Sequence, residues 1–180
     1  GAAMARIVAA GRTILFTGDL GRPGSSIMPD PAAVSETDCL VLESTYGDRR
    51  HEARDPEDAL AETITRTAAR GGSVIVPAFA VGRSQTLLLH LSRLRKSGRI
   101  PPVPVYLDSP MAQDASDIYR QHPDDHRLTA DACRKAFAVA QYVRTAEESK
   151  QRDRQSMPKV IVSASGMATG GRVLHHLKHY

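Results

Sequence analysis

Residues 73–96 read SVIVPAFAVGRSQTLLLHLSRLRK. Ser73-Val74-Ile75-Val76 is a short run rich in β-branched residues, as expected of a buried strand. Pro77 to Gly82 interrupt it with small residues. From Arg83 to Lys96, the leucines 87, 88, 91 and 94 recur at helical spacing and give the segment one apolar stripe. Gly98 and the Pro101-Pro102 pair stop the helix. Strand, tight turn and helix in succession form half of a βαβ unit, which commits a chain to an α/β layered fold.

The same alternation continues outward. Ile14-Leu15-Phe16, Cys39-Leu40-Val41-Leu42, Val103 to Leu107 and Val160-Ile161-Val162 are further strand-like runs. Asp55 followed by Pro56 reads as an N-cap with proline in the first helical position. Glu57 and Asp58 favour the positive end of that helix, and Gly71-Gly72 close it. Two further helices are expected over Met111 to Arg120 and Ala130 to Gln141, a short one near Glu147, and a last one from about Gly171. The charged stretch Glu147 to Arg154 reads as a solvated helix face or loop. The fold class is therefore α/β, with a mainly parallel sheet flanked by helices. The first forty or so residues hold strand-like runs, a Gly/Pro-rich turn and little helix, and suggest another sheet.

Bulk properties narrow the function. The chain has 180 residues, 41% hydrophobic and 24% charged, which suits a globular protein with one sizeable domain, or one domain plus part of a neighbour. No apolar run approaches the ~20 residues of a membrane helix, and no secretory signal is evident. Cys39 and Cys133 belong to no paired metal motif and read as reduced thiols of a cytoplasmic protein. The net charge of +4 permits a polyanionic partner without requiring one. The chain opens on Gly1 rather than Met, which also suits a cloning scar over Gly1 to Met4, and Tyr180 closes a run that still reads as helix. Both ends carry the expectation of an excised piece.

Four strings could carry chemistry. In Phe16 to Gly21, Asp19 follows a strand end and a glycine. Such an aspartate either caps a turn or bridges divalent cations, as carboxylates do in two-metal hydrolases. In Leu42 to Gly47, Glu43 stands at the next strand end, where ligands gather in open α/β sheets. Pro77 to Gln85 joins strand to helix, and Arg83, Ser84 and Gln85 supply donors at a helix N-terminus, a natural anion site. Ser163 to Arg172 has the same form. Its three glycines, two serines and threonine suit a phosphate cradle, but without the Gly-Lys-Ser/Thr of a nucleotide-binding loop. His175 and His179 have i, i+4 spacing without a third ligand, so the histidines of the last helix, His176 included, read as surface residues. His51, His90, His122 and His126 lack ligand spacing.

Taken in order, FTGDLGRPG (16–24), LESTYGDR (42–49), PAFAVGRSQ (77–85) and SASGMATGGRVLHHLKHY (163–180) resemble the β-CASP branch of the metallo-β-lactamase superfamily. The likeness is greatest to bacterial and archaeal RNA-processing nucleases, relatives of the cleavage and polyadenylation endonuclease. The resemblance implies two domains. Residues 1–43 would be a remnant of the metallo-β-lactamase αββα fold, and residues 44–180 the β-CASP domain. It implies that Asp19 bridges two zinc ions and that Glu43 is the acidic catalytic residue that hydrogen-bonds a histidine. Arg83, Ser163, Ser165, Gly166 and Gly170 would lie near substrate phosphates. The partners implied are single-stranded RNA, the remainder of the metallo-β-lactamase domain, and in the intact protein a second copy.

Departures from the family pattern set the expectation for this chain alone. The His-x-His-x-Asp-His string is absent, as are two later histidine motifs, and Gly1-Ala2-Ala3 resembles only the tail of another. One remaining ligand cannot hold a zinc pair, so neither bound zinc nor RNA cleavage is expected here, although the intact protein would carry two zinc ions. The alternative, from another class, is a nucleic-acid or nucleotide-binding module without hydrolysis of its own. A third reading is a piece that merely folds. Endonuclease and exonuclease activity are not distinguished.

Overall fold

The computed structural model describes residues 3–21, 23–50 and 52–180. Gly1, Ala2 and His51, which the sequence reading invoked, lie outside these residues. Contacts divide the chain into two compact units, Gly1–Ala53 and Arg54–Tyr180.

The first unit is a small mixed sheet. Strands β1 (Ala5–Ala9) and β2 (Arg12–Phe16) form a hairpin. Its two turn residues, Ala10 and Gly11, both have positive φ, which matches the right-handed twist of the strands. Strand β3 (Cys39–Val41) adds in parallel to β2, with Ile14 opposite Cys39 and Phe16 opposite Val41. Leu15 and Ile27 are buried, while most other apolar side chains of these strands are exposed.

The second unit holds the parallel sheet. Strands β4 (Val74–Pro77), β5 (Val105–Asp108), β6 (Gln141–Tyr142) and β7 (Val160–Ser163) are all parallel, in the order β4-β7-β5-β6. The crossovers from β4 to β5 and β5 to β6 run one way across the sheet, and the return to β7 runs the other. Because parallel crossovers are right-handed, the two sets of helices lie on opposite faces. Helices α1 (Pro56–Ala69), α2 (Arg83–Lys96), α3 (Pro110–Gln121) and α4 (Ala130–Phe137) pack on one another. Helices α5 (Ala146–Asp153) and α6 (Val173–His179) are joined to each other by buried polar contacts.

Local sequence explains the helix ends. Asp55 caps α1 by accepting from the Glu57 N–H at 2.6 Å. Ser109 and Thr129 cap α3 and α4 in the same way. Thr145 and Glu148 form a capping box on α5. Helix α2 spans the residues its leucine stripe predicts, with Leu88, Leu91 and Leu94 fully buried. Two expectations are corrected. Helix α4 stops at Phe137 rather than Gln141, because Gln141 and Tyr142 leave to pair with β5 as an edge strand. The charged stretch from Glu147 is not wholly solvated, since Ser149 and Asp153 face inward.

Candidate nucleic-acid interface

Pro77, Ser163 and Asp108 are neighbours across the carboxyl edge of the parallel sheet. The chain leaves β4 for α2 on one face and leaves β7 for α6 on the other. Adjacent strands with exits to opposite faces form a topological switch point, where α/β sheets open a crevice for ligands. The loops that flank this crevice are residues 77–82 and 163–172, the two strings that drew notice in the sequence.

In the first loop the N–H groups of Phe79, Ala80 and Val81 meet no protein acceptor among the described residues, while its other donors are used internally. The Gly82 N–H reaches Gln85 Oε1 at 2.7 Å, and the Ser84 N–H and hydroxyl both reach the Phe79 carbonyl. The Gln85 amide donates to Ala80, Ala112 and Ser116 from a fully buried position. The expected anion site made of Arg83, Ser84 and Gln85 is thereby corrected. Ser84 closes the loop on itself, Gln85 holds it to α3, and only the exposed Arg83 guanidinium is presented outward, without an ion pair among the described residues.

The second loop is longer and richer in glycine. Among the described residues, the N–H groups of Ser165, Gly166, Gly170 and Gly171 meet no protein acceptor, so the turn keeps a set of backbone donors for an outside partner. Two glycines are required by geometry. A Cβ on Gly166 would lie 2.8 Å from the Phe79 ring, and one on Gly171, where φ is +71°, would lie 2.7 Å from the Ala164 carbonyl oxygen. Gly170 has open space around it and an ordinary φ, so it is not the backbone-critical position. Ser163 lies at the end of β7 itself. It is buried and donates its hydroxyl to the Asp108 carbonyl at 3.1 Å, so it supports the turn from beneath. Because α6 has only seven residues, the turn's own N–H groups matter more here than a helix dipole.

Under this edge sits a polar cluster that the sequence reading missed. The Asp108 carboxylate is 1% exposed and receives Arg172 at 2.6 Å, His176 Nε2 at 2.8 Å and the Ser149 hydroxyl. His176 Nδ1 lies 2.7 Å from Asp153. Burial alone would push the His176 pKa down, but the hydrogen bonds to Asp108 and Asp153 outweigh it and hold the value above normal. Burial likewise pushes Asp108 up, and its bonds from His176, Ser149 and Arg172 bring it below the usual carboxylate range. His176 is thus buried between two carboxylates, not a surface residue. Arg172 also donates to the Val143 and Arg144 carbonyls, which ties the end of the glycine-rich turn to the segment after β6. The clue was positional: Val173 and His176 share one helical stripe, and Val173 is apolar.

In the first unit, Asp19 and Glu43 leave the same edge, because β2 and β3 run parallel and Thr17 N–H bonds to the Val41 carbonyl. The Thr17 hydroxyl accepts from the Glu43 N–H at 3.2 Å. Hydrogen bonds from the Thr45 N–H and hydroxyl, and from the Leu20 N–H, hold the Glu43 carboxyl below its ordinary pKa. Asp19 is exposed. Two carboxylates fall short of the three protein ligands a catalytic zinc usually takes. Among the described residues, no group of three His, Cys, Asp or Glu could hold a metal. The side chains present do not by themselves fit a zinc pair.

No Asp or Glu occurs between Glu62 and Asp108, nor after Asp153, so both crevice loops lie in stretches free of acids. No helix among the described residues is long and apolar enough to cross a membrane.

Comparison with known proteins agrees with this architecture. The chain is similar to Ribonuclease TTHA0252 of Thermus thermophilus, with 37% identity over 176 residues, 94% of this chain and 40% of the relative. It is 33% identical to the RNase J-like protein of Methanocaldococcus jannaschii, over 93% of this chain and 40% of the relative. It is also 33% identical to the transcription termination factor FttA of Methanosarcina mazei, over 93% of this chain and 28% of that protein. The chain thus spans two fifths or less of the length of these relatives. The family model described as the Beta-Casp domain matches residues 84–180. The chain belongs to the β-CASP family, whose RNA-processing nucleases its sequence strings resemble.

Proposed function

We propose that this chain is the strand-gripping part of a zinc-dependent, metallo-β-lactamase-fold ribonuclease that hydrolyses RNA phosphodiester bonds. The observation that carries the reading is the pairing of Pro77 with Ser163, which sets the Arg83 loop and the donor-rich glycine turn side by side at the switch point. Phosphates of a single strand would be held by the free N–H groups of residues 165, 166, 170 and 171 and by Arg83. Such contacts fix a strand without reading its sequence. The relatives named as ribonucleases support RNA as the polymer.

In this reading residues 1–43 belong to the metallo-β-lactamase half and residues 44–180 to the β-CASP domain. Zinc, supplied with further ligands in the intact protein, would provide a hydroxide nucleophile and charge stabilisation at phosphorus. Asp19 would be a ligand, and Glu43, already fixed by Thr45, would orient a neighbouring group. The chain alone would neither hold the metal pair nor cleave RNA. Two free cysteines support a reducing, cytoplasmic setting.

The test has two arms. In the intact protein, Asp19→Ala should abolish zinc-dependent RNA cleavage, and near-normal turnover would remove Asp19 from the metal site. In this chain, fluorescence anisotropy with a short labelled RNA should give binding that weakens with salt, each phosphate contact adding ~0.7 to the log–log slope. Arg83→Ala should reduce both affinity and slope. If the chain binds RNA while the intact protein never cleaves it, the second reading holds: a nucleic-acid-binding module without hydrolysis.

A further inference from the structure

We infer that Phe79 is a stacking platform for a nucleobase of the strand whose phosphates the glycine turn holds, an inference that rests on the RNA-binding reading above. Phe79 is 55% exposed, the most exposed of the three phenylalanines in a chain without tryptophan. Its exposure is not that of a loose loop. The Phe79 carbonyl accepts from both the Ser84 N–H and the Ser84 hydroxyl, which fixes the backbone. The ring rests against Gly166, where any Cβ would come within 2.8 Å of Cδ2 and 3.0 Å of Cε2. The fold thus keeps position 166 bare to seat an aromatic ring, then leaves the rest of that ring uncovered. A preset ring loses little conformational freedom when it binds.

Neighbouring features choose the occupant. The ring touches the same turn that offers free backbone N–H groups, so a base on the ring and a phosphate on the turn are within one nucleotide's reach. Arg83 follows four residues later, and both loops lie in acid-free sequence, which favours a polyanion over an apolar protein segment. Val81 and Met167, on loops that leave β4 and β7, and Met111, in the first turn of α3 after β5, are exposed and add apolar surface at that edge. Asp108, which ends β5 at this edge, is buried and bonded to Arg172 and His176, and the exposed Asp114, one turn into α3, marks the rim where a phosphate would be unwelcome. Aromatic rings beside a basic groove bind single strands by stacking, and they tolerate any base.

The chain's lack of tryptophan supplies the experiment. Phe79→Trp introduces a single indole at the site. Titration with a ten-nucleotide oligoadenylate should quench its emission saturably, whereas a ribose-phosphate oligomer of equal length without bases should not. Phe79→Leu should weaken oligoadenylate binding by roughly 5- to 100-fold with the salt slope unchanged, and Phe79→Tyr should restore it. Arg83→Ala should instead lower the slope. The platform is overturned if Phe79→Leu binds like the parent, or if the baseless oligomer binds equally well; salt-dependent binding would then survive and the wider reading with it. Absence of binding by any oligomer at low salt would overturn both. A blue shift with protein concentration alone, in the absence of RNA, would assign the ring to a contact between copies and also overturn the inference.

Discussion

Three carboxylates stand at or just past the carboxyl ends of parallel strands in this chain, and they lead opposite lives. Asp19 is exposed and Glu43 half-buried, on loops that follow β2 and β3. Asp108 closes β5 with its side chain buried and every oxygen engaged by Arg172, His176 and Ser149. Position at a strand end therefore does not mark a catalytic acid. What separates them is whether the fold itself has already consumed the charge. An acid whose partners are all internal serves stability, and one left outward is available to a metal or substrate.

The widest gap should appear on removing the buried member. Asp108→Ala leaves His176 and Arg172 without their shared carboxylate, and breaking a buried charge network from one side costs about 3–5 kcal/mol. Urea unfolding should register this as a large drop in midpoint, while Asp19→Ala leaves the midpoint unchanged. Equal midpoints for the two variants would erase the distinction between consumed and available acids.

Next in size are the glycines of the turn above Asp108. Gly171→Ala forces a positive φ on a side chain and sets its Cβ against the Ala164 carbonyl, so it should cost about 1–3 kcal/mol. Gly170→Ala meets open space and should be close to neutral. Thermal melts of the pair measure the difference directly, and a Gly170 variant as damaging as the Gly171 variant would show that the turn is read wrongly.

Smaller again is the pH response of the cluster. His176 has a folded pKa above its unfolded value, so its contribution is complete below the unfolded pKa and is lost as pH rises through the folded one. Asp108 has a lowered folded pKa, so its contribution is present above the unfolded value and is lost as pH falls through the folded one. Stability should hold between those limits and fall on the alkaline side with a slope of at most about 1.4 kcal/mol per pH unit for one proton. His176→Gln should remove that alkaline limb. An unchanged limb in the variant would assign it elsewhere.

The sequence disclosed what is local. Helix α2 was legible at both ends because leucine spacing and terminators lie within its own twenty residues, and Asp55-Pro56 announced α1 for the same reason. The crevice loops were legible because glycines cluster where strands turn into helices. Asp108 and His176 were not, since their bond joins residues 68 apart and only the completed sheet sets them together. Strand β6 was missed because two residues carry no periodicity, and only its pairing with Tyr106 and Leu107 makes it a strand. The choice between Gly170 and Gly171 needed the backbone angles, which composition does not contain.

The smallest effect on folding should belong to Glu43, where the comparison is sharpest. Its carboxylate is held by the Thr45 N–H at 3.0 Å in an exposed loop, and its lowered pKa comes from hydrogen bonds rather than from a buried cation. Glu43→Gln keeps the shape and an acceptor oxygen for Thr45, so unfolding of this chain should not change measurably. In the intact protein the same change removes a negative charge from the edge shared with Asp19. If Glu43 acts by orienting a group beside the metal rather than by binding it, zinc content should be retained while the cleavage rate falls ~10–100-fold, the range typical of such supporting residues. Metal analysis of the purified variant, run beside its cleavage assay, separates the cases. Loss of zinc together with activity would make Glu43 a ligand, and unchanged turnover would leave it as a loop cap, an acid spent on its own backbone much as Asp108 is spent on the core.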